Sequence, residues 1–241
     1  MSRESDIGQS WAPLGRALLD YHHGDTTARF VVHSDLWDSE ITAAEEYYRP
    51  LHLELSEIEQ RALSLCRGRV LDLGAGAGRH ALELQERGHE VTAVDVSTDA
   101  VEVMRRRGVR DARCGDLSAV SGEQYDTVLL LMHGIGLVGT LDGLAAFLDA
   151  TRSVLQKGGR VLCDSADLAL ALPSARSAGV GGSYLGEVEF RLVYRDLEGR
   201  PYPWLFVDPR TLARFAAAAG YDCEICARGG RGAYLARLTR R

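Results

Sequence analysis

From residue 69 onward the chain switches between two periodicities. Arg69-Val-Leu-Asp-Leu73 is apolar on both faces, which predicts a buried strand. A glycine-rich turn follows, then a helix from Arg79 to Arg87 that stops at Gly88. Glu90 to Asp95 is a second strand, and Ser97 or Thr98 can cap the next helix, which runs to Arg107 and stops at Gly108. Short strands are expected at Ala112 to Cys114, Asp126 to Met132 and Arg160 to Asp164. Between the last two, Leu141 to Gln156 carries a helical apolar stripe that ends at Gly158-Gly159. Strands apolar on both faces, alternating with helices, imply a parallel sheet covered on both sides. Ligands of such sheets bind at the carboxyl ends of the strands.

The flanking regions follow other patterns. The first 65 residues are rich in aromatic, histidine and acidic side chains, and Ile58, Ala62 and Leu65 space a helix that leads into the core. Glu187 to Arg195 alternates with period two and can pair with Tyr202 to Val207 across a Glu198-Gly199 turn. Asp208-Pro209 starts a helix that ends at Gly220. Two strands, Asp222 to Ala227 and Ala233 to Leu238, flank a glycine-rich hairpin turn. The expected fold is α/β: a Rossmann-like, doubly wound, mostly parallel seven-stranded sheet with a C-terminal antiparallel hairpin. It forms one domain, with an N-terminal helical cap over 1–65, a ligand-binding core over 66–164, an inserted β-hairpin over 184–207, and the terminal helix and strands over 208–241.

Composition narrows the function. A length of 241 residues at 46% hydrophobic content suits a single globular domain. A net charge of −6 argues against nucleic-acid partners. Arg105, Arg106 and Arg107 end a predicted helix, where cations complement its dipole. There is no apolar leader among the first nine residues, and the longest apolar stretch, Thr127 to Gly139, is too short to span a bilayer. A soluble, cytoplasmic protein is expected. Five scattered cysteines do not make a disulfide framework. Cys223 and Cys226 lie three apart in a predicted strand, so they should face opposite ways, and no metal site is expected.

The chemistry concentrates in Val70-Leu-Asp-Leu-Gly-Ala-Gly-Ala-Gly78. Gly74, Gly76 and Gly78 allow a tight turn and close approach of a ligand. Arg79 stands where a dinucleotide fingerprint needs glycine or alanine, which disfavours a dehydrogenase. Asp72 would repel a pyrophosphate but suits an ammonium group. Asp95, ending the second strand, can accept from both hydroxyls of a ribose. Asp116, after Cys114-Gly115, can accept from an adenine amine.

From Val70 to Asp167 the chain resembles the class I S-adenosylmethionine-dependent methyltransferases, through LDLGAGAG, VTAVDVS, GDL, YDTVLLLMHGIG and LQKGGRVL. Nearly the whole chain is similar to a group of bacterial methyltransferase-domain proteins with an HS…YYR segment before the core and a PWLFVD strand after an inserted hairpin. The resemblance implies S-adenosyl-L-methionine as cofactor and a small-molecule acceptor, with secondary metabolism as one setting. It places Gly74, Ala75, Gly76 and Gly78 along the methionine part, Asp72 near its amino group and Asp95 on the ribose. Val96 would pack on the adenine, with Asp116 and Leu117 framing it. His133 and Gly134 would face the sulfonium and the acceptor; the group often has asparagine at His133.

His133 is the leading candidate base, since histidine titrates near neutral pH; packing against the cofactor is the competing role. Asp164 is the next catalytic candidate, whereas Asp167 is expected to cap a helix. The expected acceptor-side residues are Tyr48, Arg49, Tyr184 and Trp204. Arg49 can hold a carboxylate or pair with a neighbouring acid, and the aromatic residues can wall a pocket or an oligomer interface. Two alternatives stand beside methyl transfer: the same fold reused for cyclisation or elimination, and a binding subunit of a heteromeric complex.

Overall fold

The computed structural model describes residues 3–48, 56–172 and 184–241. The chain opens with helix α1 (Arg3–His22) and strands β1 (Arg29–Ser34) and β2 (Glu40–Ala43), followed by a 3-10 turn over Ala44–Tyr47. The alternating region is α2 (Glu57–Leu65), β3 (Arg69–Leu73), α3 (Arg79–Glu86), β4 (Glu90–Asp95), α4 (Thr98–Arg107), β5 (Asp111–Cys114), β6 (Tyr125–Leu130), α5 (Leu141–Val154) and β7 (Leu155–Ala166). A single helical turn, α6 (Leu168–Ala171), precedes β8 (Glu187–Tyr194), β9 (Leu197–Glu198), β10 (Tyr202–Leu205), α7 (Pro209–Ala218), β11 (Tyr221–Arg228) and β12 (Ala233–Arg240). No described helix is long and apolar enough to cross a membrane.

The seven-stranded sheet runs β11-β12-β7-β6-β3-β4-β5. β4 pairs with β5 and β6 with β7 in parallel, and the β11–β12 hairpin joins antiparallel through β12, as expected. The helix caps follow local chemistry. Ser56 and Glu59 form a capping box at α2, while Ser97, Thr140 and Asp208 accept from the first turns of α4, α5 and α7. Asp167 caps α6 through Ala169 N, as its position suggested.

The structure redraws several boundaries. β6 ends at Leu130, not Met132, because Met132 and His133 turn into the left-handed region at φ 64° and 58°. α5 ends at Val154, and β7 begins at once. Gly158 and Gly159 do not terminate a helix. They lie in an irregularity of β7, where Tyr125 pairs with Leu155 but Thr127 with Arg160. The turn after β8 is at Arg195-Asp196, not Glu198-Gly199: Tyr194 pairs with Leu197, and Arg195 has φ 54°. The inserted strands do not form an isolated hairpin. β8 lies between β10 and β1 in a second sheet of order β10-β8-β1-β2, with β9 off β8, so the N-terminal cap is only partly helical. A bulge between Ile225 and Ala227 interrupts the alternation that put Cys223 and Cys226 on opposite faces; both are free thiols.

Contacts group the chain into two compact units, one from 1–54, 72–119 and 189–202, the other from 55–71, 120–188 and 203–241. In the first, Leu14, Ala17, Leu18 and Phe30 pack with Ala100 and Val103. α1 approaches α4 so closely that a Cβ on Gly15 would overlap the Ser97 hydroxyl. In the second, Tyr125, Leu129, Leu130, Leu162, Tyr221 and Tyr234 are fully buried. Such apolar runs become strands because both sheet faces are covered.

Candidate active site

The glycine loop belongs to the first unit. Gly74, Gly76 and Gly78 have φ 75°, 54° and 77°, where a Cβ would strain the backbone. At Gly78, the N-cap of α3, a side chain would also collide with Val109 and Met104. Gly74 N and Ala75 N donate to Val94 O at 2.9 and 3.1 Å, which lays the loop across the end of β4. Asp95 fixes it from the other side: Oδ2 accepts from Gly76 N at 2.8 Å and Oδ1 from Ser97 N at 2.9 Å. Burial raises the Asp95 carboxyl pKa, and these two N–H donors oppose the rise. Each oxygen keeps further acceptor capacity.

Asp72 is buried at 2% exposure, and its Oδ2 has no hydrogen-bond partner. Burial pushes its carboxyl up from 3.8 to about 6; His80 and the Ala81 N–H pull the other way, and Asp95 adds to the rise. A buried acceptor left open at the root of a glycine loop fits an ammonium group, such as the one at the amino-acid end of S-adenosylmethionine. Val96 is partly exposed, and its carbonyl accepts from the Cys114 thiol at 3.7 Å. Asp116 is exposed beyond β5, its Oδ1 taking Ser118 N at 2.8 Å, with Leu117 opening the following turn. Since Asp95 pairs with Cys114 in parallel register, the two acids extend from neighbouring strand ends. The two carboxylates expected to accept from ribose and adenine thus stand at neighbouring strand ends.

The tyrosine pair divides its work. The Tyr48 hydroxyl donates to Leu18 O at 2.6 Å, and its ring lies under the Arg107 guanidinium at 4.5 Å. Tyr48, expected to touch an acceptor, is thus a packing residue in this structure. Its neighbour Tyr47 lies over the loop, where a Cβ on Gly76 would come within 3.3 Å of the ring. The turn that carries Tyr47 is tied down by Arg79, whose Nη1 donates to Glu46 O at 2.7 Å. Arg107 adds bonds to Ala77 O and Tyr48 O at 2.6 and 3.1 Å. Sequence reasoning treated Arg107 as a helix-end charge; nothing in one sequence tells which arginine of a triplet turns inward. Arg49 lies outside the described residues.

The second unit holds the remaining candidates. Met132 and His133 occupy consecutive left-handed positions at the end of β6, conformations that cluster where a chain positions functional groups. The His133 ring packs 5.6 Å from Phe206, and its Nδ1 is buried without a hydrogen-bond partner. Asp164, buried at the end of β7, accepts from Gly134 N at 3.1 Å and so holds the His133 loop. Trp204 is buried flat against Gly136, where any Cβ would overlap the indole. The Tyr184 hydroxyl donates to Asp208 Oδ2 and accepts from Asp208 N, both at 2.8 Å, bracing the start of α7. Trp204 and Tyr184 therefore support the framework rather than present free groups. Phe206 was missed as a site residue although its PWLFVD run was noted, because an apolar ring in a strand carries no chemical signal.

Comparison with known proteins converges on one family. A family model described as a methyltransferase domain matches residues 70–159. An S-adenosylmethionine-dependent methyltransferase from Bacteroides fragilis, solved with S-adenosyl-L-homocysteine, is 37% identical over 96% of each chain, with a TM-score of 0.85. An uncharacterized methyltransferase of Staphylococcus carnosus is 31% identical over 88 residues, 36% of this chain and 42% of that protein. A ubiquinone biosynthesis O-methyltransferase of Methylocella silvestris is 34% identical over 162 residues, 63% of this chain and 57% of that one. The chain thus spans about half the length of these two curated relatives. With its glycine loop, its Asp72 and Asp95, and a full-length likeness of this degree, the chain belongs to the S-adenosylmethionine-dependent methyltransferases.

Proposed function

We propose that this protein methylates a hydroxyl group of a small-molecule acceptor, with His133 taking the proton that the hydroxyl must shed. The observation that carries this reading is the buried, unpartnered His133 Nδ1 on a strained loop. An alcohol or phenol is a poor nucleophile until it is deprotonated, whereas an amine needs less help, so a positioned imidazole favours oxygen. The likeness to a ubiquinone biosynthesis O-methyltransferase points the same way.

S-adenosylmethionine, when bound, supplies an already activated methyl group. The chain's part is then mainly placement. In our reading Asp72 Oδ2 receives the ammonium group, Asp95 the ribose and Asp116 the adenine, with Val96 and Leu117 against the ring. Asp164 fixes the backbone of Gly134 and through it the orientation of His133, so it is a positioning residue. Trp204 packs on the same turn at Gly136, and Tyr184 braces the start of α7.

The test is incubation with S-adenosylmethionine and a panel of phenols, catechols and alcohols, with matched amines as contrast. S-adenosylhomocysteine and methylated product should form in equal amounts with a hydroxyl acceptor. His133→Asn should lower kcat by about a hundredfold or more while S-adenosylhomocysteine binds as before. Methylation of amines alone, or a His133→Asn enzyme of unchanged kcat, would refute the assignment.

A further inference from the structure

The glycine loop has a cover that the strand pattern does not announce. Tyr47 ends the short turn after β2, and its ring lies on Gly76, the residue whose N–H is held by Asp95. Phe30 backs the ring from β1 at 6.1 Å. Arg79 and Arg107 fasten the carbonyls of Glu46 and Tyr48, on either side of Tyr47. Ala44 N, at the start of the turn, donates to Ala28 O at 3.0 Å. The turn is thus anchored through its backbone at both ends, while the Tyr47 hydroxyl takes no hydrogen-bond partner among the described residues. By contrast, the hydroxyls of Tyr48, Tyr125, Tyr184, Tyr194, Tyr221 and Tyr234 are engaged. Burial and the nearby Asp95 and Glu46 carboxylates drive the Tyr47 phenol well above its ordinary pKa, so it stays neutral and remains a donor.

A neutral, unpaired hydroxyl on a ring fixed against a loop that allows close ligand approach is free to donate to an acceptor atom of a ligand there. We infer that Tyr47 is a cofactor-binding residue: its ring closes over Gly76, and its hydroxyl donates to an oxygen of the bound adenosyl ligand. This rests on the cofactor reading above and adds to it a residue outside the glycine motif. The neighbouring Tyr48 supplies an internal contrast, since its ring and hydroxyl serve packing alone.

The experiment is calorimetric titration with S-adenosylhomocysteine of wild type, Tyr47→Phe and Tyr48→Phe, with thermal unfolding of each apo protein. Tyr47→Phe keeps the ring on Gly76 and removes only the hydroxyl. It should raise Kd roughly fivefold to tenfold with apo unfolding unchanged. Tyr48→Phe should lower the apo unfolding temperature and leave Kd within twofold. Equal Kd for wild type and Tyr47→Phe would overturn the assignment while leaving the cofactor reading intact. A wild type that binds no S-adenosylhomocysteine would overturn both. If Tyr47→Phe lowers apo stability as Tyr48→Phe does, with an unchanged Kd, Tyr47 is a packing residue and the inference fails.

Discussion

At the scale of the residue, Asp72 sets stability against binding. Its folded pKa is raised from 3.8 to about 6 by burial, so between these values the native state holds a proton that the unfolded chain has released. Apo stability therefore falls as pH rises through that window, by an amount on the order of 3 kcal/mol once both states are ionised. Ligand binding should run the opposite way, because an ammonium group favours the ionised carboxylate. Asp72→Asn is expected to flatten the pH dependence of apo unfolding between pH 4 and 6. It should also raise the apo unfolding temperature at pH 7 and weaken S-adenosylhomocysteine binding at least tenfold at the same pH. Unfolding scans and titrations across pH 4 to 8 check both limbs; a variant less stable than wild type at pH 7 would show that the buried charge is better compensated than its open Oδ2 suggests.

At the scale of the element, the loop after β6 is held from several sides. Two successive left-handed residues lead into a 3-10 turn over Gly134–Val138. Asp164 grips it from β7, and Trp204 presses on it at Gly136. No rotamer of an alanine can avoid the indole, so Gly136→Ala must displace Trp204 or the turn itself. The cost should be about 1–3 kcal/mol, the usual range for overpacking. Chemical denaturation measures it, and kcat should fall with it because His133 rides on the same turn. A neutral Gly136→Ala would mean that β10 can shift without strain.

At the scale of the molecule, cofactor binding should register as global stabilisation. Ligand at a hundred times its Kd adds about 2.7 kcal/mol, which in a chain of this length corresponds to roughly 5–10 °C in Tm. S-adenosylmethionine and S-adenosylhomocysteine should both produce that shift and NAD should not, since the Asp72 carboxyl opposes a pyrophosphate and Arg79 stands where a dinucleotide loop needs glycine or alanine. Asp95→Asn is the informative variant. Asp95→Ala would also leave the N–H groups of Gly76 and Ser97 without acceptors, confusing lost affinity with a loosened loop. The amide keeps one acceptor and unpairs one of the two N–H groups rather than both, so a lost ligand shift in an Asp95→Asn protein whose apo unfolding matches wild type reports on the ligand contact. A full shift in that variant would move the ribose contact elsewhere.

The sequence by itself determined the strands of the seven-stranded sheet, the helices that alternate with them, and the glycine-rich turn after β3. Those follow from local rules: apolar runs make covered strands, glycines permit left-handed turns, and a capping side chain binds the nearest N–H groups. The places of Gly74, Gly76, Gly78, Asp72 and Asp95 were legible because each depends on its position in a strand or in the turn that follows it. Only the tertiary structure decided the rest. It joined β1 and β2 to β8 across more than a hundred residues, a pairing that no local pattern encodes. It turned Arg107 inward, gave Tyr48 to packing and Tyr47 to the loop, and engaged Tyr184 and Trp204 in support. Adjacent tyrosines, like successive arginines on a helix, differ only in the direction they face, and direction is fixed by what the rest of the chain packs against them.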